Sequence, residues 1–221
     1  TPVWPGSRKF SLKRAKNLEA GDDANVSILE CDVHTGTHID APGHFIRGAE
    51  TVEQISLNKL IGPAYVVYIP DVNTINAGDL DKLKLPAEVK RLLLRTRNSE
   101  LWNRGAIEFN KKFVALTSGA AQWIVDRGID LIGIDYLSIQ RFTDPPITHR
   151  ILLEAKVVIV EGLNQIRMCI MDIPDNFIGC GFAHLTSFGG VGPTMYVQRS
   201  SPFRIHFIFS AGIASICEIR V

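Results

Sequence analysis

Residues 34–45 read HTGTHIDAPGHF, and they hold half of the six histidines in the chain together with an aspartate. His34, His38 and Asp40 fall at alternate positions, so an extended strand places all three side chains on one face. The intervening Thr35, Gly36, Thr37 and Ile39 are poor helix formers, which favours strand over helix here. Two imidazoles and a carboxylate aimed at one point form a ligand set for zinc, manganese or iron. Gly36 leaves room for close approach of another group, and the Pro42-Gly43 turn is expected to bring His44 back over the same site.

Two further residues qualify by position. Glu161 closes the apolar run VVIVE just before Gly162, and α/β proteins place site residues at the C-terminal ends of buried parallel strands. His149 is the second residue of the segment THRILLEA. Taken singly, each also fits an ordinary helix start or a strand-end charge. His184 and His206 have no ligand-like neighbours and read as structural.

The elements that must position these residues are legible from their patterning. AYVVYIP (64–70), RLLLRT (91–96), KFVALT (112–117), IDLIGID (129–135) and KVVIVEG (156–162) read as strands. SGAAQWIVDRG (118–128) reads as a helix with Ser118 as N-cap and Gly128 past its end, and THRILLEA (148–155) as a short amphipathic helix. VNTINAGDLDKL reads as a loop entering a short helix. Continuous apolar strands alternating with helices predict an α/β chain with a largely parallel sheet covered on both faces. Extra β structure is expected in the turn-rich first fifty residues.

Composition bounds the remaining classes. A length of 221 residues favours one domain spanning 1–221. With 24 basic and 23 acidic side chains the net charge is +1, which leaves no electrostatic footprint for nucleic acid or an anionic membrane. No apolar run reaches the roughly 18 residues of a membrane helix. TPVWPGSRKF lacks the apolar centre of a signal peptide, and its want of a methionine leads us to expect native residues before Thr1. Cys31, Cys169, Cys180 and Cys217 form no CxxC pair and read as reduced, mostly buried thiols of a cytoplasmic protein, with a Cys169–Cys180 disulfide as the alternative.

HTGTHIDAPGHF resembles the HxGTHxDxPxHF signature of the cyclase family, which includes bacterial kynurenine formamidase and related metal-dependent amidohydrolases. PVWPG near the start, LIGIDYLSI (131–139) and THRILLEAKVVIVEGLN (148–164) extend the resemblance to about residue 164. It implies a site for one or two divalent ions, Zn2+ or Mn2+. His34, His38 and Asp40 would hold the first ion, Asp40 would bridge, and His149 and Glu161 would complete the second position. His44 would be the catalytic histidine. The implied fold is a three-layer β/β/α arrangement of the swivelling-domain type, in a homodimer or larger homo-oligomer.

The chain departs from the family in two places. Asp135 and Ser138 match its DxxS element, but Gln140 stands where the family usually has an acid. The segment 165–221 does not follow the family's ending, and its FRIHFIFSAGIASI is apolar enough to require burial.

The implied activity is hydrolysis of a C–N amide bond in a small-molecule substrate. An arylformamide such as N-formylkynurenine, an intermediate of tryptophan catabolism, fits it. Trp4, Phe45, Trp102 and Tyr136 are candidates for an aromatic pocket. The same ligands would also serve a hydrolase of cyclic amides, imides or lactones, or a non-catalytic metal-binding scaffold. His38, Asp40 and His149 match the two-histidine, one-carboxylate pattern of non-haem iron oxygenases too, but those sites sit on all-β folds.

Overall fold

The computed structural model describes residues 2–164 with their side chains, and residues 204–210 and 214–220 as backbone strands. Strands β1 (Ser11–Lys16) and β2 (Val26–Glu30) form an antiparallel hairpin, and β3 is the short strand His38–Asp40. The helix α1 (Leu57–Leu60) leads into β4 (Tyr65–Ile69), and α2 (Ala77–Asp81) into β5 (Arg91–Thr96). After α3 (Ser99–Asn103) come α4 (Ser118–Asp126), β6 (Leu131–Ile134), α5 (Ile147–Glu154) and β7 (Val158–Glu161). Two strands close the chain, β8 (Arg204–Ser210) paired antiparallel with β9 (Ala214–Arg220).

The central sheet has the order β3-β7-β6-β5-β4; β4 to β7 run parallel, and β3 lies antiparallel to β7 on the edge. This is the α/β, partly parallel architecture that the apolar runs predict. All four residues of β6 and of β7 are buried, as is Arg91–Leu94 of β5, because these strands are covered on both faces. Leu92, Leu94, Ile132, Ile134 and Ile159 pack in one core with Ala120, Ala121 and Ile124 of α4 and Leu152 and Leu153 of α5. Each leucine or isoleucine among them contributes about 1.5–3 kcal/mol of burial. Arg91 and Glu161 are the charged exceptions; the Arg91 guanidinium donates to the carbonyls of Asn58, Lys59 and Ile61, satisfying the end of α1.

Several details differ from the expectations. Thr117, not Ser118, caps α4: it is extended, with φ −84° and ψ 165°, and its hydroxyl accepts from the Ala120 amide. Gly128 ends this helix in the left-handed region, at φ +69°. KFVALT is buried through Phe113–Leu116 but forms no regular strand, only isolated bridges from Leu116 to Ile75 and Gln140. The Asn98 side chain takes the place of a neighbouring strand. Its Nδ2 donates to the Val114 carbonyl, and its Oδ1 accepts from the Val114 amide, each at 2.8 Å. Cys31 is exposed and free rather than buried. The Cys169, Cys180, Cys217, His184 and His206 side chains, and those of FRIHFIFSAGIASI, lie outside the described residues. Among the described residues no helix is long and apolar enough to cross a membrane.

Candidate metal centre

The candidate ligands meet at the edge of the sheet, where β6 and β7 end. Antiparallel pairing of β3 on β7 sets His38 opposite Glu161 and Asp40 opposite Ile159. His149 enters from the first turn of α5, and all five residues are buried.

His34 arrives by another route than the predicted one. The strand covers only His38–Asp40, and residues 33–37 form a turn. Asp32 organises it, its Oδ1 accepting from the His34 amide at 2.9 Å. Gly36 takes φ +77°, which a β-carbon would disfavour. Thr37 Oγ1 then donates to the Gly162 carbonyl at 2.8 Å, tying the turn to the end of β7. Gly162 is itself left-handed, at φ +67°, and a β-carbon there would lie 2.1 Å from the Gly36 carbonyl oxygen. Two glycines thus let the two backbones approach closely enough for His34 to reach Asp40.

The polar atoms fall into two overlapping groups. His34, His38 and Asp40 form one, and Asp40, His149 and Glu161 the other, with the ligand atoms of each group within 4.8 Å of one another. Asp40 Oδ1 lies 3.2 Å from His34 Nδ1 and 3.5 Å from His38 Nε2, whereas Oδ2 lies 3.7 Å from His149 Nε2. Glu161 Oε2 is 3.6 Å from His38 Nε2, and Oε1 is 3.1 Å from His149 Nε2. The Ile139 amide holds Oε1 at 2.6 Å.

These residues fit a divalent cation. His38 Nε2 and Asp40 Oδ1 are buried and have no hydrogen-bond partner, an arrangement folded proteins seldom leave uncompensated. His38 Nδ1 is 3.0 Å from the Gly36 carbonyl and serves as its donor, so once the ring is neutral Nε2 carries the lone pair, as in metal-ligating histidines. Imidazole nitrogens with carboxylate oxygens suit zinc or manganese.

The charges are strongly coupled. Burial opposes ionisation of both Asp40 and His38, but their mutual attraction outweighs it. Beside His34 and His38, the Asp40 carboxyl is held well below the usual carboxylate range. The Asp40 and Glu161 carboxylates overcome the burial of His38 and raise its pKa to about 9.

His44 belongs to neither ligand group. Pro42 starts the 3-10 turn Pro42–His44 directly after β3, which brings the His44 ring to 4.2 Å from the His34 ring. One side of His44 is open to solvent. Its pKa lies below the ordinary value because protein atoms displace water from the other side, against the pull of Asp40 and with the repulsion of His34, His149 and His38. An imidazole at this position can exchange protons with a molecule entering the site.

The aromatic candidates separate. Phe45 stacks on His149 at a centroid distance of 4.4 Å, so it belongs to the site. Trp4, Trp102 and Tyr136 gather instead with Phe109, Phe113 and Phe142 in a second cluster. Tyr136 touches the site region through its backbone, whose carbonyl accepts from the Gly162 amide at 2.6 Å.

Asp135 and Gln140 have contacts that residue type alone does not announce. Fully buried Asp135 accepts from the amide and hydroxyl of Thr96 and of Ser99, joining β6 to the start of α3. Its burial outweighs these bonds and pushes its pKa up. Gln140 contacts His149 directly.

The Cyclase family model matches residues 1–141, so His149 and Glu161 lie beyond the matched part. Cyclase-like protein 3 of Arabidopsis thaliana is 36% identical over 170 residues, covering 73% of this chain. The chain spans 63% of the length of that plant relative. The kynurenine formamidase of Bacillus thuringiensis is 32% identical over 162 residues, covering 73% of this chain and 75% of the enzyme. A solved structure described as a potential metal-dependent hydrolase with cyclase activity superposes with a TM-score of 0.66 at 28% identity. That superposition covers 98% of this chain and 89% of the other. The chain belongs to the Cyclase family.

Proposed function

We propose that this chain is a metal-dependent hydrolase of C–N amide bonds, acting on an arylformamide of the N-formylkynurenine kind. The observation that carries the reading is the shared Asp40, whose two oxygens face two ligand groups while Oδ1 and His38 Nε2 stay buried without partners. His34, His38 and Asp40 would hold one zinc or manganese ion, and Asp40, His149 and Glu161 a second. A divalent cation held there would supply Lewis acidity, polarising a carbonyl oxygen and lowering the pKa of water towards about 7.

The chain's own residues do the rest. His44, with its lowered pKa, is available in the neutral form at pH 7. It takes a proton from the attacking water as the new C–O bond forms, and returns it to the leaving nitrogen as the C–N bond breaks. The products are formate and a free aryl amine, and His44 ends as it began. Phe45, stacked on His149, presents an aromatic wall beside the site. The related formamidase at 32% identity supports the choice of substrate.

We further infer that the chain works as a homo-oligomer. Leu12 and Leu29 are cross-strand partners in the β1–β2 hairpin, and both are exposed, as are Val26 and Ile28. An isolated hairpin of this kind is marginal in water without a surface to cover it.

Formate release from N-formylkynurenine, measured on chelated protein and after adding back zinc or manganese, tests the reading. Activity abolished by the chelator and restored by an ion supports it. Absence of formate release under every metal condition contradicts the arylformamide assignment.

A further inference from the structure

The amide of Gln140 has four neighbours, and together they fix which end is oxygen. Its Nε2 donates to the Asp144 carbonyl at 3.0 Å. Its Oε1 lies 3.1 Å from the Thr148 amide, 3.4 Å from the His149 amide and 3.3 Å from His149 Nδ1. Turning the amide over would set an NH2 group against two backbone N–H donors and an oxygen against a carbonyl, so only one orientation satisfies every group. Because Oε1 only accepts, His149 Nδ1 donates to it. Nε2 lies 3.1 Å from Glu161 Oε1 and 3.7 Å from Asp40 Oδ2, so in metal-free protein it too faces acceptors, and in a loaded site it is the nitrogen that would meet the cation.

We propose that Gln140 is the positioning residue that presents His149 to a divalent cation through Nε2. The inference rests on the metal-site reading above and assigns a task to the residue that departs from the family pattern. Ile139 and Gln140 are consecutive, and between them they orient both partners of Asp40 in the second ligand group. The Ile139 amide holds Glu161, and the Gln140 side chain holds His149. The DxxS segment continues directly into this pair: Ser138 Oγ accepts from the Gln140 amide at 3.2 Å. An outer partner of this type sets the ring's orientation and its donating nitrogen. A neutral amide also gives the imidazole less electron density than a carboxylate would, leaving more positive charge on the cation.

The test compares native protein with Gln140→Ala and Gln140→Glu, reading zinc affinity, melting temperature and the hydrogen on His149 Nδ1 from 15N imidazole shifts in metal-free protein. Gln140→Ala is expected to bind the second zinc ion about 10–100-fold more weakly, to keep the first, and to lose the Nδ1–H preference of His149. Gln140→Glu keeps an acceptor at the start of α5, and is expected to retain the Nδ1 hydrogen and bind zinc at least as tightly as native. Unchanged zinc affinity and Nδ1 hydrogen in Gln140→Ala, with only a lower melting temperature, would reduce Gln140 to a cap of α5 and overturn the proposal. If Gln140→Ala does not fold, a Gln140→Glu protein that loses the Nδ1–H preference overturns it equally. Failure of the native chain to bind zinc or manganese would instead remove the metal-site reading, and the 15N measurement would still decide the role of Gln140.

Discussion

His38 and Glu161 face each other across the β3–β7 ladder, with Nε2 of the histidine 3.6 Å from Oε2 of the glutamate. The pairing register of one three-residue edge strand therefore decides whether the two ligand groups meet at all. A slip of one residue would turn His38 and Asp40 to the opposite face of the sheet. The register is held by the contact of Gly36 with Gly162 and by the Thr37 hydroxyl on the Gly162 carbonyl.

Gly162→Ala tests that lock. The new methyl group would occupy the place of the Gly36 carbonyl, and the left-handed backbone alone costs about 1–2 kcal/mol for a residue with a β-carbon. The variant is expected to melt several degrees lower and to bind metal more weakly. Calorimetry together with a metal titration checks both.

His44→Ala is expected to lower turnover about 10²–10⁴-fold while the metal content stays at the native level. Steady-state kinetics beside elemental analysis of the same preparations separates the two effects. Unchanged turnover would remove His44 from the chemistry.

The pH dependence of the metal-free protein follows from His38. Its folded pKa of about 9 lies above the ordinary value of 6.5, so its protonated form favours the fold. That contribution is fully present below about pH 6.5 and disappears as the pH rises through about 9. Melting temperatures of chelated protein should therefore fall across this window, and His38→Asn should flatten the step. Metal binding runs the other way: the proton must leave Nε2 before it can ligate, so affinity rises with pH up to about 9 and binding at pH 7 releases protons. Calorimetric titrations in buffers of different ionisation enthalpy count those protons.

Asp135→Ala should destabilise the fold by about 3 kcal/mol, because the amides of Thr96 and Ser99 would lose a buried acceptor. Chemical denaturation measures the change directly. The residue precedes the segment leading to Ile139 and Gln140, so weaker metal binding is expected to accompany it.

The parts of this protein that were legible in advance are those written in local pattern. Strands β4 to β7 appear as runs of valine, isoleucine and leucine, α4 as a segment closed by Gly128, and α5 as a short amphipathic segment. The candidate site was legible because His34, His38, Asp40 and His44 crowd into one motif.

What local pattern could not supply depends on contacts between distant residues. Alternation predicts one strand through positions 34–40, but Gly36 takes a left-handed conformation and a turn delivers His34 instead. KFVALT has the composition of a strand, but Asn98 satisfies the backbone of Val114. Trp4, Trp102 and Tyr136 share a residue class with Phe45 but pack in another cluster. Gln140 carries no signal in its own type, since its part depends on where α5 begins.

Counting the metal ions retained by native protein and by Asp40→Ala, after loading with zinc or manganese and exhaustive dialysis, tests the central claim most directly. Asp40 touches both ligand groups. Native protein should retain zinc or manganese, and Asp40→Ala, confirmed as folded by circular dichroism, should retain essentially none. A native protein that holds no ion, or a folded Asp40→Ala protein that holds as many as native, would contradict the account.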